Sequence, residues 1–359
     1  MQDVQPSICA FLHHPGEFAR RSGLYPLVEA IHATPVFYKE SWRDLQKRSW
    51  TAGQWLRKVG NWYYGSEWNS LIPLVDENKL SRALPARVDV AHFLWGEFGS
   101  PVHPRWFRRR ANAIVGTFHA SAQRLPRVLR GYRGLPSFDH ITLMSKSQMP
   151  FFIDQGFPEE RMHVFLHGVD TSYFCPAPVT KETGSGPLRG LLVGSTERDH
   201  AFMADVLRKL PAGVIDMTIL TAYDQRILNY ENVPHARFPK HLSDTELLDA
   251  YRQADLLVMP MIDCTANNGI LESMACGTPV LTNRIGGIPE YVTGESNYLM
   301  DRKNVDEWVD LLKHLAANRD ELTVRRPNVR AWAERYDWSI KAADYISLYR
   351  QCLAERRAS

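Results

Sequence analysis

The chain of 359 residues exceeds the roughly 250–300 at which a single hydrophobic core stops growing, so two domains are the default. Its five cysteines are an odd number, widely spaced and without a Cys-x-x-Cys pair, which argues against both a disulfide framework and a structural zinc site. The net charge of +3 conceals two unlike halves: residues 1–150 carry 20 Lys+Arg against 11 Asp+Glu, the remainder 23 against 29. No recognisable nucleic-acid module accompanies the basic half, so nucleic acid is not an expected partner.

In chain order, extended apolar runs stand at residues 8–13, 36–38, 88–95, 113–118, 140–144 and 163–166, separated by helical or irregular segments. Between residues 42 and 68 lies a basic, aromatic stretch in which Trp42, Trp50, Trp55, Trp62, Tyr63, Tyr64 and Trp68 alternate with Arg43, Lys47, Arg48, Arg57 and Lys58. Its chemistry suits an anionic membrane surface, or a helix with its aromatics packed inward. Pro176, Pro178, Gly184, Gly186 and Pro187 mark a linker near residues 169–187. Beyond it, strands are predicted at 191–193, 214–220, 256–259 and 280–282, with helices near 201–210, 245–253 and 269–275. These strands are continuously apolar rather than alternating, which indicates parallel sheets covered by helices on both faces. The expected fold is α/β, with two facing doubly wound, Rossmann-like domains. No N-terminal basic-then-apolar signal and no apolar run of roughly 20 residues is present, so the expected place of folding is the cytoplasm.

The most informative stretch is residues 263–283, DCTANNGILESMACGTPVLTN. Asn267 and Asn268 favour a helix start, Ile270, Leu271 and Met274 repeat at helical spacing, Gly277 ends the helix and Pro279 prevents its continuation. The N–H groups of such a helix start, together with its dipole, suit a phosphate. Glu272 is an acceptor-only side chain able to hold a diol beside it. Ligands of doubly wound sheets bind at the carboxyl ends of the strands, which selects Gly194, Ser195, Thr196 and Arg198 after the 191–193 strand.

Asn-Asn-Gly-Ile-Leu-Glu-Ser-Met-Ala-Cys-Gly-Thr-Pro-Val, followed by Gly286-Gly287-Ile288-Pro289-Glu290, resembles the donor-binding signature of family-four retaining glycosyltransferases of the GT-B fold. Ser145, Gly156 and His167-Gly168-Val169-Asp170, with Phe174 and Pro176, resemble the same family's interdomain segment. The likeness implies an acceptor-binding domain over residues 1–168, a nucleotide-sugar domain over 169–335, and a helix over 336–359 that returns to the first domain. Glu272 would hold the donor ribose, and Asn267, Asn268, Gly269 and Ile270 would meet its diphosphate and sugar. Where the family has an arginine this chain has Ser195, so Arg198, with Lys240 or Arg284, is expected to supply the cations; Leu242 is assigned to the donor as well. Cys264 stands where the family commonly has a second, sugar-binding glutamate. His119, in Thr117-Phe118-His119-Ala120-Ser121, resembles the histidine that reaches the reacting end of the donor. With Arg198 it makes up the expected catalytic pair. Ser22-Gly23 replaces a glycine pair that closes on the phosphates, and His13 and His14 are candidates for acceptor or sugar.

The sequence thus leads to a retaining, metal-independent glycosyltransferase without a cofactor. It would move a sugar from a nucleoside diphosphate donor, UDP-linked in preference to GDP-linked, to a hydroxyl acceptor. Its place would be cytoplasmic or peripheral on the inner face of a membrane. A non-catalytic GT-B binding protein and another nucleotide-sugar enzyme, such as an epimerase, are the alternatives; slow donor hydrolysis separates the first of these.

Overall fold

A computed structural model describes residues 5–13, 21–38, 51, 84, 87–99, 107–130, 132, 134–178, 186–221, 224–240 and 242–358. The chain divides into two compact units, and the division is not a single cut: residues 1–17, 24–167 and 339–359 form the first, residues 18–23 and 168–338 the second.

The first unit is built on a six-stranded sheet of β1 (Ile8–His13), β2 (Thr34–Tyr38), β3 (Val88–Phe93), β4 (Ala111–Phe118), β5 (His140–Leu143) and β6 (Met162–Val164). The order is β2-β1-β3-β4-β5-β6, and every recorded pairing is parallel. β4 has six consecutive buried residues from Ala113 to Phe118, the mark of a strand covered on both faces. One face packs an aromatic core in which Phe11 stacks on Phe93 at 4.5 Å between ring centroids, with Phe107 edge-on to both. Burying each such ring is worth about 1.5–3 kcal/mol. The C-terminal residues 339–358 cover the other face through a buried polar chain: the Tyr349 hydroxyl lies 2.7 Å from His92 Nδ1, and His92 Nε2 lies 2.7 Å from Thr117 Oγ1. Thr117 Oγ1 in turn lies 2.6 Å from Thr142 Oγ1.

The second unit carries the strands β7 (Leu188–Val193), β8 (Ile215–Leu220), β9 (Ala236–Arg237), β10 (Leu256–Met259), β11 (Val280–Asn283) and β12 (Tyr298–Met300). They run in the order β12-β11-β10-β7-β8-β9, again with parallel pairing. β10 and β11 are buried throughout, and between them comes the helix Asn268–Ala275, whose residues Gly269 to Ala275 are all buried. The two Rossmann-like domains of the GT-B fold are thus present.

The differences from the sequence reading are local. β9 and β12, two and three residues long, are too short to give a periodic signal, and β6 begins one residue earlier than expected and ends two earlier. The segment 168–178 is not a free linker: Val169 pairs with Asp337, donating its N–H to Tyr336 O at 2.8 Å. Residues 18–23 belong to the second unit rather than the first because Arg21, Ser22 and Gly23 bond to Asp170, Glu272 and Trp338. The final helix is Trp338–Ala358, and Trp338 itself remains with the second unit. Among the described residues no helix is long and apolar enough to cross a membrane. The aromatic stretch 42–68 lies outside the described residues apart from Thr51.

Candidate functional site

In the second unit the carboxyl ends of β7 and β10 bring together most of the residues selected from the sequence. Asn267, extended at φ −136°, is the N-cap of the helix Asn268–Ala275, its Oδ1 accepting from Ile270 N at 3.2 Å. Asn268 is therefore the first helical residue, one position inside the cap. The same Asn267 Oδ1 accepts from Arg198 Nη2 at 3.3 Å. Arg198 also donates from Nε to Val193 O at 3.0 Å and from Nη1 to Thr196 O at 2.6 Å. Of its five donors, three are used by these bonds, leaving a hydrogen on each terminal nitrogen for a ligand.

Far from being a solvated charge, Arg198 is half-buried and lies across Gly194, whose φ of +96° makes the tight exit from β7. A Cβ at Gly194 would stand 2.7 Å from Arg198 Nη2. Burial lowers the Arg198 pKa, and an arginine stays charged regardless. Ser195 is buried, its Oγ 2.8 Å from Thr221 Oγ1. His200, just after, has its pKa pushed down to about 4 by burial and lies 3.0 Å from the Tyr230 hydroxyl.

Glu272 is 4% exposed. Its Oε2 accepts from the Tyr251 hydroxyl at 2.8 Å and its Oε1 from the Ser22 hydroxyl at 2.5 Å, while Asn268 Nδ2 reaches the same Ser22 oxygen at 3.4 Å. Burial raises the Glu272 pKa, against which the two hydroxyl bonds and Arg198 favour the carboxylate. A small cleft beside it is lined by Arg21, Ser22, Gly23, Asn268, Leu271 and Trp338, among others. Any hydroxyl donor reaching Glu272 must displace Ser22 or use the second lone pair of each oxygen.

Cys264 is buried, and burial pushes its thiol up to about 12, so its side chain is uncharged. Its carbonyl accepts from Gly287 N at 2.8 Å in a turn where Gly286 has φ +49°. Lys240 is exposed, and Leu242 lines a separate groove of about 660 Å³ with Arg189, Gly190, Thr218 and Arg237. That groove includes none of Asn267, Asn268 and Glu272, so the structure does not bring Leu242 to the helix start. Arg284 is half-exposed and paired with Asp301 at 3.0 Å. Among the described residues no group of three His, Cys, Asp or Glu side chains is placed to hold a metal.

In the first unit, His119 follows β4 directly and its ring stacks on Trp95 at 4.0 Å. Two side chains that sequence reasoning missed clamp its backbone. Glu97 Oε1 accepts from His119 N at 2.7 Å and Ala120 N at 2.8 Å. Gln148 Nε2 donates to Phe118 O at 3.0 Å and Ala120 O at 2.9 Å. The Ser-x-x-Gln spacing of Ser145 and Gln148, a capping box in the structure, was the available signal for the second. The residue His13 ends β1, and its side chain and His14 lie outside the described residues.

A family model described as Glycosyl transferases group 1 matches residues 191–318. A D-inositol 3-phosphate glycosyltransferase of Saccharomonospora viridis is 30% identical over 124 residues, covering 34% of this chain and 29% of the relative. An MMP alpha-(1->4)-mannosyltransferase of Mycolicibacterium hassiacum is 26% identical over 266 residues, 70% of this chain and 61% of the relative. The match thus spans less than two thirds of either relative's length. Among solved structures, Anabaena HepE in complex with UDP superposes with a TM-score of 0.62 at 15% identity, covering 96% of this chain and all of the other, a likeness of fold. Residues 191–318 of this chain are thus similar to the glycosyl transferases group 1 family.

Proposed function

We propose that the protein is a retaining, metal-independent glycosyltransferase that moves a sugar from a nucleoside diphosphate donor, UDP-linked in preference to GDP-linked, to a hydroxyl acceptor. The observation that carries this reading is the convergence of a capped helix start, a guanidinium and a buried carboxylate on Asn267, Arg198 and Glu272. The first two suit a diphosphate and the third a ribose diol. The UDP complex of a protein with this fold and the glycosyltransferase relatives support the reading.

In the transfer, the bond between the anomeric carbon and the diphosphate breaks, with its electrons leaving on the phosphate oxygen stabilised by Arg198 and the helix start. The acceptor oxygen bonds to the same face, and its proton passes to the departing diphosphate, so no protein nucleophile is consumed. His119 orients the reacting sugar. The basic first domain holds the acceptor, and the 42–68 segment draws the protein to an anionic membrane surface on its cytoplasmic side.

A thermal-shift screen over nucleoside diphosphates and their sugars tests the donor, since a ligand at 100 times its dissociation constant adds about 2.7 kcal/mol to the folded state. UDP release from UDP-sugars in the presence of EDTA is the expected activity. No stabilisation by any nucleotide and no release would refute the reading; stabilisation without release would favour a binding protein.

A further inference from the structure

Glu97 sits in the single helical turn Gly96–Gly99 that follows β3, and it is 1% exposed. A carboxylate so deeply enclosed is costly unless hydrogen-bonded or charge-paired. Its Oε1 is satisfied by the two backbone amides of residues 119 and 120, at 2.7 and 2.8 Å. Its Oε2 has no hydrogen-bond partner among the described residues and stands 3.9 Å from His119 Nδ1. That separation is longer than a hydrogen bond, about 2.7–3.2 Å, yet within the range that closes when a site takes up its ligand. The imidazole is held flat against Trp95, with its ring planes 26° apart, and the backbone beneath it is gripped from the opposite side by Gln148. A backbone clamp needs only one carboxylate oxygen; the second is aimed at the ring.

We propose that Glu97 is a positioning residue for His119: one oxygen fixes the strand-end backbone and the other holds the proton of the imidazole on Nδ1, so that Nε2 is the unprotonated, acceptor nitrogen of the ring. The tautomer of a histidine is set by the hydrogen bond that its other nitrogen makes. A glutamine at position 97 keeps an oxygen for the two amides and replaces the facing oxygen by an N–H donor. Nδ1 then becomes the acceptor, and the proton moves to Nε2.

The test is ¹⁵N spectroscopy of histidine-labelled protein, with the His119 signals identified by their loss in His119→Asn. The wild-type chain is expected to carry His119 as the Nδ1–H tautomer, and Glu97→Gln to invert it to Nε2–H with little change in melting temperature. An Nε2–H tautomer in the wild type overturns the proposal without reference to any variant, and so does the same tautomer in both proteins. A kinetic arm rests on the transferase reading: Glu97→Gln should lower kcat at least tenfold while the donor KM stays within twofold, and an unchanged kcat also overturns the proposal. Absence of transfer by the wild type itself would sink the transferase reading alone, because the tautomer comparison needs no turnover.

Discussion

Replacing Glu272 by glutamine tests the donor site most directly, because the substitution preserves shape and removes only charge. In the ligand-free protein the carboxylate accepts from Tyr251 and Ser22. Glutamine can meet both hydroxyls, accepting from one and donating to the other, since a hydroxyl serves either role. Burial already raises the Glu272 pKa, so the fold gains from losing the charge what it loses in hydrogen-bond strength. The melting temperature should therefore stay the same or rise slightly. The ligand reads the difference. A hydrogen bond to a charged group is worth about 1.5–3 kcal/mol and a neutral one about 0.5–1.5, a difference of about 1–1.5 kcal/mol, or on the order of tenfold in affinity for the diol. Calorimetric titration with UDP should show this loss, whereas uridine 2′,3′-dideoxy diphosphate, which lacks the diol, should bind both proteins equally. Ser22→Ala supplies the opposite sign: freeing Oε1 should tighten UDP binding by up to about tenfold. Equal UDP affinity in wild type and Glu272→Gln would refute the assignment of the ribose to this carboxylate.

Further outcomes follow from the same geometry. Arg198→Ala should weaken UDP binding more than uridine binding, because it removes a bidentate phosphate partner worth about 1.5–3 kcal/mol, while equal losses for the two ligands would place the phosphates elsewhere. Gly286→Ala should destabilise the second unit by about 2–5 kcal/mol, since its Cβ would lie 2.1 Å from Cys264 O on a backbone with φ +49°; an unchanged melt would contradict that turn. Acid should loosen both units: burial holds His92 at about 3 and His200 at about 4, below the ordinary 6.5, so the folded state binds fewer protons than the unfolded chain between those values. Their contribution is intact above pH 6.5 and declines as pH falls, at up to about 1.4 kcal/mol per pH unit for each, until about pH 4 for His200 and pH 3 for His92. Glu272, with its raised pKa, acts with the opposite sign. Urea melts that are flat from pH 7 to 5 would refute the burial of the two histidines.

What the sequence disclosed was written locally. The helix Asn268–Ala275 was legible because its cap, its apolar spacing and its terminating Gly277 lie within eleven residues, and each acts through the backbone next to it. The parallel strands were legible for the same reason, as unbroken apolar runs. Glu272 was legible as an acceptor, but its partners were not: Tyr251 stands on another helix, and Ser22 comes from 250 residues away. Arg198, flanked by Glu197 and Asp199, reads equally well as a solvated charge cluster. Only the turn geometry decides otherwise, with Glu197 at φ +62° and Arg198 bridged to Met261. Glu97 gave no signal at all, because a single helical turn has no periodicity and its bonds are made to backbone atoms more than twenty residues on.

The charges of the second unit's cluster bear on how tightly a donor can be held. The helix Asn268–Ala275 presents at its start the N–H groups of Asn268 and Gly269, which have no carbonyl one turn earlier, and a partial positive charge from the dipole. Arg198 adds a full positive charge, tied to the same point through Asn267. Glu272, in the second turn of the same helix, adds a negative one when ionised, which would repel a phosphate placed near it. A diphosphate is thus favoured at the cap and disfavoured one turn further in, while a neutral diol is favoured where the phosphate is not. On the proposed reading, the sign change along one short helix would set the direction in which a nucleotide lies. With Glu272 ionised, its charge would offset that of Arg198, and on the proposed reading a diphosphate product would be held by geometry more than by field and could leave. A second cation placed there, as in Ser195→Arg, should tighten UDP more than UDP-sugar and slow product release. A turnover rate that rises in that variant would show that release is not what the charge balance governs.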